Sequence, residues 1–292
     1  MKWRDRRQST NVDDRRSSSS RSSGGRGMPS IGTLMFLWPI VKPLLRSKMG
    51  MTVVGLGAAF YFLAPSFIGG GSGTKVANEA ADDENAAFIA TVKRDTEEVW
   101  DKIFQSAGQR YPKPKLVLYR NATSSGCGAA DSRMGPFYCP ADQRIYVDLS
   151  FFNDLKYKHG AGGDFAQAYV LAHEVGHHIQ NIEGTLNKVQ RAKQSIRDTE
   201  GNALQVKVEL QADCYAGIWA HHHQNQYGSL EPGDLEEALT AAAAIGDDRL
   251  QKQSQGFAIP HTFTHGSSKQ RVEWFARGVK NGRIQDCQTF KS

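Results

Sequence analysis

The chain has 292 residues, 39% of them hydrophobic and 23% charged, with a formal net charge of +6. Residues 1–30 carry eight Lys and Arg side chains against three Asp, so most of the excess sits there and the remainder is near neutral. That distribution excludes a general basic surface for nucleic acid, and the apolar content suffices for one membrane anchor and one domain of about 200 residues.

Residues 1–30 are rich in Arg, Ser and Gly, cannot bury enough surface to fold, and are expected to form a disordered tail. Residues 31–48 are apolar but interrupted by Pro39, Lys42 and Pro43, which suits a short interfacial segment. Met49 to Ile68 is an uncharged run matching the hydrocarbon thickness of a bilayer, and is expected to be a single transmembrane helix. A cleaved signal peptide fits less well, because the preceding region is long and no A-x-A site follows. Arg46 and Lys48 precede the run, so the positive-inside rule places the N-terminus in the cytoplasm and the rest outside a bacterial inner membrane. Gly69–Gly73 opens a flexible linker over residues 69–80.

Residues 81–292 form the expected domain, α+β and mostly helical. Phe88, Ile89, Val92, Val99, Trp100 and Ile103 predict an amphipathic helix over 82–106. Leu116–Tyr119 and Arg144–Leu149 read as strands, and from Phe165 onward the patterns are nearly all helical. All four cysteines follow the apolar run and read as disulfides on an oxidising side. Three pairings are possible; Cys127 with Cys139 closes a local loop and Cys214 with Cys287 pins the C-terminal tail, and these are expected. No C-x-x-C is present to argue for a second zinc site.

The strongest motif lies in Ala168–Gln180. His173 and His177 are four apart and share one helix face, giving two imidazole donors for a zinc ion, while Glu174 is placed to act as general base on a water. Gly176 between them costs helix propensity of about 1 kcal/mol and suits a close approach of another chain. The extended pattern H-E-x-x-H-x-x-G-x-x-H fails, since Gln180 and Glu183 occupy the glycine and last histidine positions, leaving Glu183 a weak ligand candidate. On a helix from about Ala203 to Ala220, Glu209 and Asp213 are again four apart among apolar residues. Buried together they would repel unless a cation neutralised them, so Glu209 is the candidate third zinc ligand and Asp213 the acceptor for a ligand histidine's spare N–H. The alternative is an exposed acidic face.

H-E-V-G-H-H-I-Q, E-L-Q-A-D-C-Y-A-G, I-G-D-D-R-L-Q at 245–251 and F-T-H-G-S-S-K-Q-R at 263–271 resemble the bacterial neutral zinc metallopeptidases, a YpfJ-like family, over most of the chain. A more distant resemblance is to the CAAX prenyl proteases, through Glu209 and through His265 with Arg271 six residues on; their polytopic membrane body has no counterpart here, so a prenylated substrate does not carry over. The resemblance implies a zincin-like metallopeptidase domain behind a single N-terminal transmembrane helix, acting on a peptide or protein substrate. His265, with Arg271 or Arg249, is a candidate donor to the carbonyl oxygen during hydrolysis, though a surface histidine reads equally well. His221, His222 and His223 radiate around a helix end and cannot share one metal. In zinc peptidases of this architecture an edge strand often binds extended substrate, and Arg144–Leu149 is the candidate; a buried structural strand fits its pattern equally. The expected function is a membrane-anchored zinc metalloendopeptidase. Its rivals are a catalytically silent zinc-binding envelope scaffold and a zinc hydrolase of a non-peptide amide.

Overall fold

The structure, a computed structural model, describes residues 1–17 and 79–291. Its frame is a four-stranded sheet. Strand β1 (Val12–Asp14) runs parallel to β2 (Lys115–Tyr119). Outside this sheet, β3 (Ala122–Ser125) and β4 (Gly128–Asp131) pair as a separate hairpin. Beyond β2 come β6 (Arg144–Asp148), parallel to it, and β5 (Phe137–Cys139), antiparallel to β6 at the far edge. β2 and β6 are apolar and buried on both faces, as interior strands should be. Leu116, Leu118, Ile145 and Val147 face the main core, while Val117, Tyr119, Cys139 and Tyr146 form a small cluster on the other side.

Helix α1 (Glu79–Ser106) falls between β1 and β2 in sequence and α2 (Ser150–Tyr157) follows β6, and a helical layer comes next: α3 (Asp164–Ile182), α4 (Thr185–Lys193), α5 (Asp198–Tyr227), α6 (Asp234–Ala244), α7 (Asp247–Gln255) and α8 (Ser268–Asn281). α3 is buried on nearly every side, which explains why its apolar residues do not fall into one stripe. Its first turn is capped from outside: Glu237 Oε2 accepts the Phe165 N–H at 3.0 Å. Gly176 lies against α5, where a Cβ would come within 2.9 Å of the Ala212 carbonyl oxygen, so the close approach expected at this glycine is to a neighbouring helix. The α5–α8 crossing is tighter still. A Cβ on Gly278 would run into the Cys214 carbonyl oxygen, and one on Gly217 into that of Phe275.

The disulfides are Cys127–Cys139, joining the β3–β4 hairpin to β5, and Cys214–Cys287, joining the C-terminal tail to α5.

Three expectations need correction. Met1–Ser17 is folded, not a disordered tail: β1 extends the sheet, Trp3 packs edge-on against Phe88 at 5.3 Å, and Ser9 Oγ bonds the buried Glu97 carboxylate at 3.1 Å. Basic residues of this segment are paired there, Arg6 to Asp95 and Arg16 to Asp14 and Asp82. Second, among the described residues no helix is long and apolar enough to cross a membrane, and the span expected at 49–68 lies outside them, as do the segments 31–48 and 69–78. Third, a single span there would put residues 1–30 and 81–292 on opposite sides of a bilayer, yet β1 and β2 are hydrogen-bonded neighbours. The domain behind a single transmembrane helix, and the single-pass inner-membrane location with a cytoplasmic N-terminus and a periplasmic domain, are therefore overturned.

Gly278→Ala should destabilise the fold by about 1–3 kcal/mol, because backbone rather than a movable side chain fills the space. A fall in Tm of roughly 4–10 °C by differential scanning calorimetry is expected; an unchanged Tm would show that the crossing opens at little cost.

Candidate metal centre

α3 and α5 meet with their polar residues facing one another in an otherwise apolar layer. His173 Nε2 lies 3.2 Å and His177 Nε2 3.4 Å from Glu209 Oε2. These three side chains form a group whose ligand atoms converge closely enough to hold one metal ion. His173, Glu174 and Glu209 are each less than 8% exposed, so water contributes little to satisfying them.

The tautomers follow from the partners. His173 Nδ1 sits 2.8 Å from Asp213 Oδ1, a carboxylate that can only accept, so Nδ1 carries the proton. His177 Nδ1 is 2.9 Å from Gln180 Oε1. Gln180 is fixed the other way round, its Nε2 donating to the Val208 carbonyl at 2.7 Å and to Gln211 Oε1 at 3.0 Å, so His177 Nδ1 must also be the donor. Both Nε2 atoms are then left with lone pairs directed at a carboxylate oxygen. Three lone pairs converging in a buried site call for positive charge between them, from a metal ion or from second protons on the histidines. Zinc held at 2.0–2.1 Å in a tetrahedron places its donors about 3.4 Å apart, which matches the two separations above. The donor set and spacing fit zinc.

Without an ion, protons on the histidines would supply that positive charge. Burial works against charge on His173, but Asp213 and Glu209 outweigh it and raise its pKa to about 9; His177 is raised in the same sense by Glu209. Burial would raise Glu209, yet the two imidazoles carry it well below the ordinary glutamate value. Glu174 goes the opposite way: burial dominates and raises it, while the Tyr138 backbone N–H donates to its carboxylate. One carboxylate is held as an anion beside the histidines, and burial pushes its neighbour the other way.

Asp213 is fully buried and saturated. Besides His173 it accepts from Tyr169 Oη at 2.5 Å and from Arg271 Nε and Nη2, both at 2.9 Å. Burial pushes its pKa up, but Arg271 and His173 prevail and hold it at about 2. The two carboxylates are buried and do not form the alternative exposed acidic face, and a buried guanidinium partners Asp213.

The remaining candidates separate. His265 lines the cleft above the site, half exposed, with Nδ1 toward Thr264 and Asp247. Arg271 is committed to Asp213, and Arg249 donates to the His159 carbonyl, so neither is free to assist it. Glu183 bonds Tyr215 Oη and stands outside the metal group. His221 and His222 bond the carbonyls of Val279 and Gly282, and His223 bonds Asp95. A second group of converging acids, Asp164, Asp234 and Glu237, is engaged by the Met1 ammonium and the Phe165 N–H. The strand beside α3 at the sheet edge is β5; Arg144–Leu149, expected in that place, is interior, between β2 and β5. Gln180, Tyr169 and Tyr138 were not singled out from sequence. For the first two the usable signal was spacing: Gln180 is three residues after His177 and Tyr169 four before His173, so each shares a face with its histidine.

The family described as "Putative neutral zinc metallopeptidase" matches residues 1–290. The chain belongs to this family. "Uncharacterized protein YpfJ" of Escherichia coli K12 is 48% identical over 297 residues, spanning 99% of this chain and 99% of that protein. "Uncharacterized protein Mb2605" of Mycobacterium bovis is 44% identical over 202 residues, 66% of this chain and 67% of that protein. No solved structure matches. Membership in the zinc metallopeptidase family agrees with the donor set, while the more distant likeness to CAAX prenyl proteases is not shown.

Two outcomes follow from the buried groups. Arg271→Met strands the Asp213 charge and should cost about 3–5 kcal/mol in urea unfolding; a loss below about 1 kcal/mol would mean that His173 and Tyr169 suffice. His178, 1% exposed, accepts from Tyr138 Oη and donates to the Pro112 carbonyl, and burial lowers its pKa from 6.5 to about 4. Between these values the unfolded state holds the extra proton, so the contribution of His178 to stability should rise with pH from about 4 to 6.5 and then level. Unfolding measured across that window should show a shallower slope in His178→Gln.

Proposed function

We propose that this cleft hydrolyses peptide bonds, with His173, His177 and Glu209 holding zinc and Glu174 moving the proton. The observation that carries the proposal is the convergence of two Nε2 lone pairs and one carboxylate oxygen at 3.2 and 3.4 Å, beside a second carboxylate of raised pKa that stands outside the group. When bound, zinc supplies a Lewis acid that polarises the carbonyl and brings the pKa of water from ~15.7 to ~7. Glu174 Oε takes the proton from the attacking water and passes it to the amide nitrogen as the C–N bond breaks, leaving a carboxylic acid and an amine. A purely structural zinc site has no use for such a carboxylate. Asp213 and Gln180 keep both imidazoles in the tautomer that presents Nε2, and Arg271 keeps Asp213 ionised. His265, on the wall of the cleft, is the candidate donor to the carbonyl oxygen.

Glu174→Gln should lower turnover of unfolded casein by at least about 100-fold with zinc content unchanged by plasma emission spectrometry. His173→Ala, His177→Ala and Glu209→Ala should lose the metal. Asp213→Asn and Gln180→Ala should weaken zinc affinity by about 10–100-fold in chelator competition. His265→Ala should lower turnover with zinc retained. Full activity in Glu174→Gln would remove the mechanism.

A further inference from the structure

We infer that the cleft takes an extended stretch from the interior of a polypeptide, with uncharged and mainly apolar side chains next to the bond that is cut. This rests on the peptidase reading and specifies its substrate class as that of an endopeptidase.

The cleft encloses about 720 Å³, within the range of pockets that bury most of a bound molecule. Its walls are apolar on both sides of the candidate ligands. Met134 and Pro136 come from the segment before β5, Phe151 from α2, Leu186 and Val189 from α4, and Val208 from α5. Met134 is 58% exposed, an apolar side chain at the rim with an adaptable shape. A charged substrate side chain laid against these walls would lose its hydration with no partner in return.

The charged groups that do line the cleft are already engaged. Arg271 gives its N–H groups to Asp213, to Tyr169 Oη and to the Ile245 carbonyl. Glu209 faces the two imidazoles, and His265 turns Nδ1 to Asp247. Holding a free C-terminus requires an available cation, and holding a free N-terminus an available acid. Among the described residues lining the cleft, no Lys or second Arg stands ready for the first, and Glu174 is the acid assigned to proton transfer. Asn187, Gln190 and Gln205 offer neutral donors and acceptors, which suits peptide groups and neutral polar side chains.

The sheet edge supplies the backbone contact. Among the described residues β5 pairs with β6 on one side only, so its other edge is left at the end of the sheet, where a further strand can add. Phe137 and Tyr138 of β5 line the cleft together with Glu174. An extended segment laid along that edge would exchange N–H and C=O bonds with β5. That geometry fits a continuous chain passing Glu174, not a chain end.

The test uses the full-length, zinc-loaded chain. Fluorescein-labelled peptides with acetylated and amidated ends and a central Leu-Phe pair are compared with the same peptides carrying central Lys-Lys or Glu-Glu, and with unblocked versions. Binding is read by anisotropy on Glu174→Gln and cleavage by mass spectrometry on the unaltered chain. Apolar-centred peptides should bind at least about 10-fold tighter than charged ones, blocked and free ends should differ by less than about 2-fold, and cuts should fall at the centre. Met134→Glu and Leu186→Glu should each reduce that preference by about 10-fold. Tighter binding of charged centres, loss of binding on blocking the ends, or removal of single terminal residues would overturn the inference while leaving a peptidase. Binding as expected with no cleavage of any peptide would uphold the cleft's preference and overturn the peptidase reading instead. Absence of binding by every peptide overturns both.

Discussion

The structure depends first on the burial of one carboxylate. Asp213 has no solvent exposure, and burial alone would drive its proton on; the Arg271 guanidinium, doubly bonded to it, keeps it ionised. That pair joins α5 to α8, while Tyr169 and His173 join the same carboxylate to α3. It forms only because α5 and α8 cross at Gly217 and Gly278, where side chains would hold the helices apart. A backbone constraint thus sets the position of a charge, and the charge sets the orientation of an imidazole.

Three carboxylates near one another then have three different fates, each settled by its neighbours. Asp213 is anchored by a guanidinium and fixed as an acceptor. Glu209 is held anionic by the positive charge of the two histidines when these are protonated, a charge that a metal ion would supply at the Nε2 atoms in the tautomer fixed by Asp213 and Gln180. Glu174, with burial dominant and one backbone N–H in support, has its pKa raised. The residue types are alike, so the division of labour lies in the surroundings.

How much of this is legible in the sequence follows from what a helical repeat can encode. Residues four apart share a face, so His173 with His177 and Glu209 with Asp213 announce themselves, as does the glycine that lets two helices approach. Contacts between elements carry no such mark. Arg271 lies 58 positions from Asp213. Tyr138 lies 40 from His178, and both are ordinary where they stand. Gln180 was read as the place where a longer metal motif fails, and the fold shows why a glutamine serves there: it must accept from His177 while donating to α5. The N-terminal arginines misled for a related reason. Composition counts charges without their partners, and Asp82 and Asp95, which pair with Arg16 and Arg6, lie 66 and 89 residues further on. Alternation alone could not tell edge strand β5 from interior strand β6, since both have buried apolar residues.

A common origin for the site's rigidity can be traced through α5. Glu209 belongs to it, Asp213 reaches His173 from it, and Gln180, which orients His177, is held by the Val208 carbonyl and by Gln211 on the same helix. Gln211 is in turn held by the Cys287 carbonyl, and Cys287 is tied by its disulfide to Cys214, the residue following Asp213. α3 contributes both imidazoles but settles neither tautomer alone. One helix therefore prepares every donor that a cation would meet, and Gly176 fixes its distance from the histidines by seating α3 directly on the Ala212 backbone. Such a site is organised before any ion arrives, so binding would cost little rearrangement and the donor spacing would be retained.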